Sequence, residues 1–309
     1  MKNFSLRQLR YFVAFVENGG VAQAARMIHI SQPSISSAIK ELEAEFGIRL
    51  FFRHRTNGTS LTPAGKLFYQ HALELLKQAR DFHSKVAFEN GAVAGELTIG
   101  CFETLAPMYA PVLMASFQHA YPQVSVHLHV ASHTKLLDGL RKGIYDMAIC
   151  YAYELPGDID STALLADLVP HALVPPEHRF AEMAEVSLSM LAAEPLVLLD
   201  IWPSNEYFLG LFERAGLSPR LSHKAPSLEL VRGLVAHGLG VSVLVSEPAS
   251  GLTYDGLNVV SVPIQDAMQP SRTVLAWHGS DELPPLSKTF VEHSRALMST
   301  DAQTAGPAA

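Results

Sequence analysis

Two cysteines in 309 residues are too few for a disulfide framework, which excludes small cross-linked secreted domains and points to a reducing, cytoplasmic setting. Charge is also scarce, at 17% of residues, while 48% are apolar; that balance excludes disorder and argues for globular domains. Long apolar runs are missing. No segment approaches the roughly 20 residues of a membrane span, and the opening MKNFSLRQLR has no apolar signal core, so no membrane partner is expected. A Gly-rich phosphate loop, a nucleophile elbow and a Ser-His-Asp order that marks a triad are missing too. The sequence therefore predicts no catalytic residues, no cofactor and no metal, and it does not read as an enzyme.

What is present is divided unevenly. The net charge of −7 hides a basic front end: residues 1–90 hold 12 Lys and Arg against 7 Asp and Glu, whereas residues 91–309 hold 11 against 23. A basic end on an acidic body suggests a polyanion contact confined to one part of the chain. At this length two or more domains can each bury a core.

The basic end reads as a helix-turn-helix. Leu6, Leu9, Phe12, Val13 and Val16 predict an amphipathic first helix, broken by ENGG. VAQAARMI predicts a short second helix, with Ala22, Ala24, Ala25 and Ile28 small enough for close packing. A third helix follows in SQPSISSAIKELEAEFG: Ser31 at the N-cap, Pro33 in the first turn, Ile35, Ala38, Ile39, Leu42 and Phe46 on one face, Gly47 at the stop. Its other face carries Pro33, Ser36, Ser37 and Lys40, short side chains that let a partner approach closely. In a helix-turn-helix the second helix of the pair enters the DNA major groove with its N-terminal residues against base edges. That places Ser31, Gln32, Pro33, Ser34, Ser36, Ser37 and Lys40 at double-stranded DNA. Arg49 to Arg55 then read as a basic strand, Asn57-Gly58 as a hairpin tip and SLT as the returning strand, a wing that lays Arg53, His54 and Arg55 along the backbone or an adjacent minor groove. Thr62, at the end of the wing, is placed with them. A long helix from about Ala64 to Glu89 carries Leu67, Phe68, His71, Leu75, Leu76, Ala79, Phe82 and Val86 near a coiled-coil repeat and predicts pairing with a second copy of the chain.

LRQLRYFVAFVENGGVAQAARMIHISQPSISSAIKELEAEFGIRLFFR, followed by LTPAG, resembles the N-terminal region of LysR-type transcriptional regulators. The marks are the Ala24-Ala25 pair, SQPSIS, the I..LE...G..LF.R pattern and LTPAG, in order. Family members often carry Arg directly after the last serine of SQPSIS; here that residue is Ser37, which removes one guanine or phosphate contact.

Beyond Gly95 the period changes. ELTIGC, VSVHLHV and YDMAICY alternate with helices at about Pro107 to Ala120 and SHTKLLDGLRKG, a parallel α/β unit. A second unit runs through LVPHALVP, a helix near Leu188, PLVLLD, SNEYFLGLFERAG, RLSHKA, SLELVRGLVAHG and GVSVLV; RTVLAW and a helix from about Pro284 to Met298 close the fold, leaving 300–309 as a tail. YP.V, L..G.YD.AI and HGLGVS resemble the effector domain of the same family, which looks like a two-lobed periplasmic solute-binding protein. The expected fold class is therefore multidomain: an all-α winged helix-turn-helix domain (1–61), a long linker and dimerisation helix (62–90), and an α/β two-lobed periplasmic-binding-protein-like effector domain (91–309). Lobe I spans about 91–162 and 269–299 and lobe II 163–268, with chain crossings near Ser161 to Leu165 and Ile264 to Arg272.

Strand ends and helix starts place Phe102, Glu103, Thr104, Ser132, His133, Thr134 and Tyr151 on one side of a cleft, and Asp200, Trp202, Ser204 and Ser227 on the other. Converging helix N-termini favour an anion; Glu103 and Asp200 favour a ligand with donors or positive charge. His127 and His129 share a strand face but lack a third metal ligand, and Cys101 and Cys150 end neighbouring strands as structural thiols rather than a redox pair. The expectation is a regulator whose operator binding is controlled by a small-molecule effector, acting as a homodimer or homotetramer and, as an activator, touching RNA polymerase. The alternative is a solute-binding or sensor protein with no transcriptional role, which leaves residues 1–90 unexplained.

Overall fold

The computed structural model describes residues 3–53, 59–246, 250–279 and 283–304. His54, Arg55 and the Asn57-Gly58 tip lie outside them. The chain forms two compact units, Met1–Glu96 with Arg141–Ile144, and Leu97–Leu140 with Tyr145–Ala309.

The first unit opens with α1 (Leu6–Glu17), capped by Ser5 and closed by Gln8 in a reciprocal capping box. The turn into α2 (Val21–Met27) and α3 (Gln32–Phe46) follows the expected pattern. Ser31 accepts the Ser34 N–H at 3.3 Å, and Gly47 ends α3 in the left-handed region that favours glycine, φ 67°. His29, in the tight turn before α3, also has positive φ, 53°. Ala24 and Ala25 are buried against Phe15, Ile35 and Ile39, so small residues do let α2 sit close; Ala22, expected to pack with them, faces out on the opposite side of the helix. Phe12 is fully buried among Leu9, Leu42, Leu50, Leu73 and Leu76, with its ring 5.1 Å from Phe68.

The wing is β1 (Phe51–Arg53) paired antiparallel with β2 (Thr59–Leu61). Its first strand was expected from Arg49 but starts two residues later. Leu50 turns fully into the core with its N–H on Glu43, and the Arg49 carbonyl accepts the Thr62 hydroxyl. Then α4 (Pro63–Glu89) runs for 27 residues. Its expected single stripe splits in two: Leu76 is buried and Phe68 half-buried toward α1, while Leu67, Leu75, Phe82 and Val86 stay exposed on another face.

In the second unit, β3 (Gly95–Phe102), α5 (Ala106–Ala120), β4 (Val124–Ala131), α6 (His133–Arg141), β5 (Met147–Tyr151) and β6 (Ile159–Ala163) build the first lobe. Helix α6 comes very close to β3: a Cβ on Gly100 would stand 2.6 Å from Leu136, and one on Gly139 would strike the Tyr145 ring. The second lobe holds β7 (His171–Val174), α7 (Leu188–Ala192), β8 (Pro195–Leu199), α8 (Ser204–Arg214), β9 (Arg220–Ala225), α9 (Leu228–Ala236), β10 (Ser242–Leu244) and β11 (Val260–Pro263). The chain then returns through β12 (Thr273–His278) and α10 (Pro285–Thr304).

The first sheet has the order β4-β3-β5-β12-β6, with β5 parallel to β3 and β12 antiparallel to both neighbours. In the second lobe β8 and β9 are parallel, but β7 is antiparallel to β10 and β11, so this lobe is mixed where a parallel unit was expected. Strands β6 and β11 were not foreseen; Asp160 and Ser161 are exposed on β6, which leaves it no apolar run. Ser161 thus belongs to β6, and the first crossing begins at Leu164. Helix α10 continues past Met298 to Thr304. The two crossings, 164–170 and 264–272, lie side by side, bridged antiparallel at Leu168 and Ser271 and by Arg272 on Asp167 at 3.2 Å.

Candidate functional site

Two places in the chain carry the predicted site residues. On α3, Ser31, Gln32, Pro33, Ser34, Ser37 and Lys40 are exposed and Ser36 half-buried, on a helix whose opposite face, Ile35, Ala38, Ile39 and Leu42, is buried in the core. The small polar residues therefore stand on a rigid platform, with the free N–H groups of the first turn beside them. Ser37 donates to Glu41 at 2.8 Å, and Glu41 also accepts from Gln8 of α1 at 2.7 Å. Arg53 falls in β1, its backbone paired with Thr59. Thr62 departs from the expected set: it is buried, and its hydroxyl donates to the Arg49 carbonyl at 2.6 Å and accepts the Gly65 N–H at 2.9 Å. That hydroxyl caps α4, which occupies the atom a DNA contact needs.

Between the lobes, β3 and β5 end at Phe102 and Tyr151, and the residues at these ends meet the second lobe. Tyr151 is buried; its hydroxyl lies 3.5 Å from the Thr104 hydroxyl and 3.3 Å from that of Ser246, just past β10. Burial raises the Tyr151 pKa, so the phenol stays protonated. His133, at the start of α6, is fully buried with Nε2 on the Tyr151 carbonyl at 3.3 Å, and burial lowers its pKa, leaving a neutral ring. Trp202 of the second lobe packs edge to face on His133, ring centres 5.1 Å apart, and Phe102 stands 5.6 Å from Tyr151. Ser204 is buried at the start of α8, and Ser132 holds the N-cap position of α6, its carbonyl accepting the Leu136 N–H.

The structure thus brings Phe102, Thr104, His133, Tyr151 and Trp202 together. Ser204 shares a small pocket with Tyr151, whereas Glu103, Thr134, Asp200 and Ser227 are not joined to the group. Asp200 accepts from Asn205 at 3.0 Å and pairs with Lys224 at 3.6 Å; Ser227 caps α9 through the Leu230 N–H; Glu103 and Thr134 are exposed. Sequence reasoning missed Ser246, although its place after a strand end follows the rule that found Thr104. It also missed a polar cavity of about 530 Å³ lined by Tyr151, Tyr153, Glu206, Tyr207, Arg214 and Arg272, whose α8 contributors carry no local signal.

The other candidates resolve simply. Cys101 pairs in register with Ile149, so Cys150 points to the opposite sheet face; both thiols are buried and pushed up to about 12. No bond between them fits this sheet. His127 and His129 share an exposed strand face, and no group of three metal-ligating side chains occurs among the described residues. No helix of the described residues is long and apolar enough to cross a membrane.

Comparison with known proteins agrees with this architecture. Residues 90–299 match the LysR substrate binding domain, and residues 6–66 match the bacterial regulatory helix-turn-helix protein, lysR family. The chain is 30% identical over 298 residues to the HTH-type transcriptional regulator CysB of Haemophilus influenzae, covering 93% of this chain and 89% of that one. Among solved structures it is similar to HinK, a LysR family transcriptional regulator from Pseudomonas aeruginosa, at 43% identity and TM-score 0.65, over 96% and 99% of the two chains. It is also similar to full-length CbnR complexed with its target DNA, at 25% identity and TM-score 0.65, over 95% and 99%.

Proposed function

The chain belongs to the LysR family of bacterial transcriptional regulators, which are not enzymes, and from that premise we propose how its own residues divide the work. Helix α3 enters the major groove with Ser31, Gln32, Pro33, Ser34, Ser36, Ser37 and Lys40 toward bases and phosphates, and Arg53 and Arg55 of the wing follow the backbone. Residues 1–61 form the DNA-binding domain, 62–90 the linker and 91–309 the effector domain. A small molecule enters between the lobes beside Thr104, His133, Tyr151, Trp202 and Ser246, and it acts by favouring one lobe arrangement over another. The exposed face of α4 pairs subunits into dimers or tetramers. An apolar groove of about 420 Å³, lined by Phe4, Leu9, Phe46, Leu67, Phe68 and Leu75, supports that pairing. In the cytoplasm, an activator built this way also contacts RNA polymerase.

The observation that carries the reading is the exposed small-polar face of α3 on a fully packed platform. Gel shift on the region upstream of the protein's own gene, at two salt concentrations, tests it. Binding weakens with salt as phosphate contacts release counterions. The double variant Ser34→Glu, Ser36→Glu loses binding while keeping its oligomeric state; unchanged binding removes α3 from the groove. Thr104→Trp keeps DNA binding and loses the ligand response, and a fully responsive variant places the effector elsewhere.

A further inference from the structure

We propose that Ser37 meets the duplex as a hydrogen-bond acceptor only, and so selects an amino-bearing base, adenine or cytosine, at the position it faces. This deepens the reading above and rests on its placement of α3 in the major groove.

The chain of hydrogen bonds starts at the cap of α1. The Ser5 backbone N–H donates to Gln8 Oε1 at 2.8 Å, and the Ser5 hydroxyl donates to the same oxygen at 3.0 Å. An amide oxygen only accepts, so these two donors decide which end of the Gln8 carboxamide faces which way. Its Nε2 is turned toward α3 and donates to Glu41 Oε2 at 2.7 Å. The other carboxylate oxygen, Oε1, lies 2.8 Å from Ser37 Oγ. A carboxylate only accepts, so the proton between them is the one that Ser37 owns. With it given to Glu41, Ser37 has lone pairs to offer and no donor.

The neighbouring serines are held differently. Ser31 and Ser34 share a bond of 2.8 Å that runs in either direction, so each can exchange roles when a partner arrives. The polarity of Ser37 is set by Glu41, one turn on in its own helix, whose other carboxylate oxygen is held in place by Gln8 of α1. In the major groove adenine N6 and cytosine N4 are donors, while guanine O6, guanine N7 and thymine O4 are acceptors. An acceptor-only side chain matches the first pair and sets lone pair against lone pair with the second. The Glu41 carboxylate behind it adds a negative field of the same sense.

Selection from a randomised duplex library with the full chain, in wild type, Ser37→Ala and Glu41→Ala, tests this. Ser37→Ala flattens one position of the selected motif, and wild type holds adenine or cytosine there. Replacing that adenine by purine, or that cytosine by 2-pyrimidinone, deletes the amino group. Wild-type affinity then falls about threefold to tenfold, the range of one neutral hydrogen bond, and Ser37→Ala is indifferent. Glu41→Ala, checked by its melting curve to be folded, frees the hydroxyl and admits guanine or thymine at that position. Guanine or thymine there in wild type overturns the proposal, as does a Ser37→Ala motif identical to wild type. In both cases a wild-type motif and the loss of binding in the Ser34→Glu, Ser36→Glu variant leave α3 in the groove. A wild type that enriches nothing overturns the groove placement and this inference with it.

Discussion

The outer face of α3 and the wall of the lobe cleft use the same small hydroxyl residues but hold them in opposite ways. On α3 the hydroxyls are exposed and fixed from behind, by a core below and by helix caps beside them. In the cleft Thr104, Tyr151 and Ser246 are buried and occupied with one another, and Trp202 lies over His133. The difference suits the partners proposed above: a duplex has one shape and would meet a finished surface, while a small molecule would need the lobes to part before it found a free donor or acceptor.

This contrast can be broken from either side, because both tryptophans, Trp202 and Trp277, lie in the second unit. Tryptophan fluorescence therefore follows the second unit, and helical circular dichroism follows the whole chain. The largest effect is expected from Phe12→Ala, which removes the ring at the centre of the platform and costs about 3–5 kcal/mol. Its circular dichroism transition comes early, DNA binding is lost, and the fluorescence transition stays in place. Coincident shifts of both would show that the units melt as one. Tyr151→Phe does the reverse. It strips the hydroxyl joining Thr104 to Ser246, lowers stability by about 1–2 kcal/mol and moves the fluorescence transition together with the second-unit part of the circular dichroism transition, leaving DNA binding in place. Thr62→Ala costs about 1 kcal/mol as a lost cap; it moves only the circular dichroism transition, and an operator affinity of the folded variant equal to wild type checks that Thr62 makes no phosphate contact.

A smaller effect follows pH. Burial holds the His133 pKa below its unfolded value, so the unfolded chain binds the extra proton first. The stabilisation from the neutral ring is full above the unfolded pKa, near 6.5, and declines as pH falls through the folded one. His129 and His178 are lowered as well and add slope of the same sign. His133→Gln should therefore reduce, not abolish, the loss of melting temperature between pH 7 and pH 5; an unchanged slope excludes His133 as a contributor. The smallest effect is at His29, where a left-handed φ costs a side chain strain that glycine avoids. His29→Gly should raise stability by up to about 1 kcal/mol, and His29→Val lower it, read from denaturant midpoints.

The two regions also differed in how far the sequence disclosed them. On α3 every signal is local: a cap residue, a proline, an apolar stripe at helical spacing and a closing glycine all fall within Ser31 to Gly47. The same locality misled at Thr62, where a side chain read beside the wing proved to be the cap of the next helix. In the cleft, strand ends could be located one at a time, but which of them meet depends on how the lobes are wound. Asp200 stands just past the end of its strand, yet Lys224 of the neighbouring strand takes its charge. Ser246 and the α8 residues Glu206 and Arg214 come to the site from far along the chain, and β7 between antiparallel neighbours cannot be told from a parallel strand by its apolar run alone.

The paired crossings carry a mechanical consequence. Segments 164–170 and 264–272 are fastened to each other at Leu168 and Ser271 and again at Asp167 and Arg272. Two ribbons stitched edge to edge resist shear and twist yet still flex about the line across them, as a strap does. Were the lobes to open as proposed, these ties would confine the movement to one axis, and molecules of different shape lodged between them would be turned into the same swing, varying only in its extent.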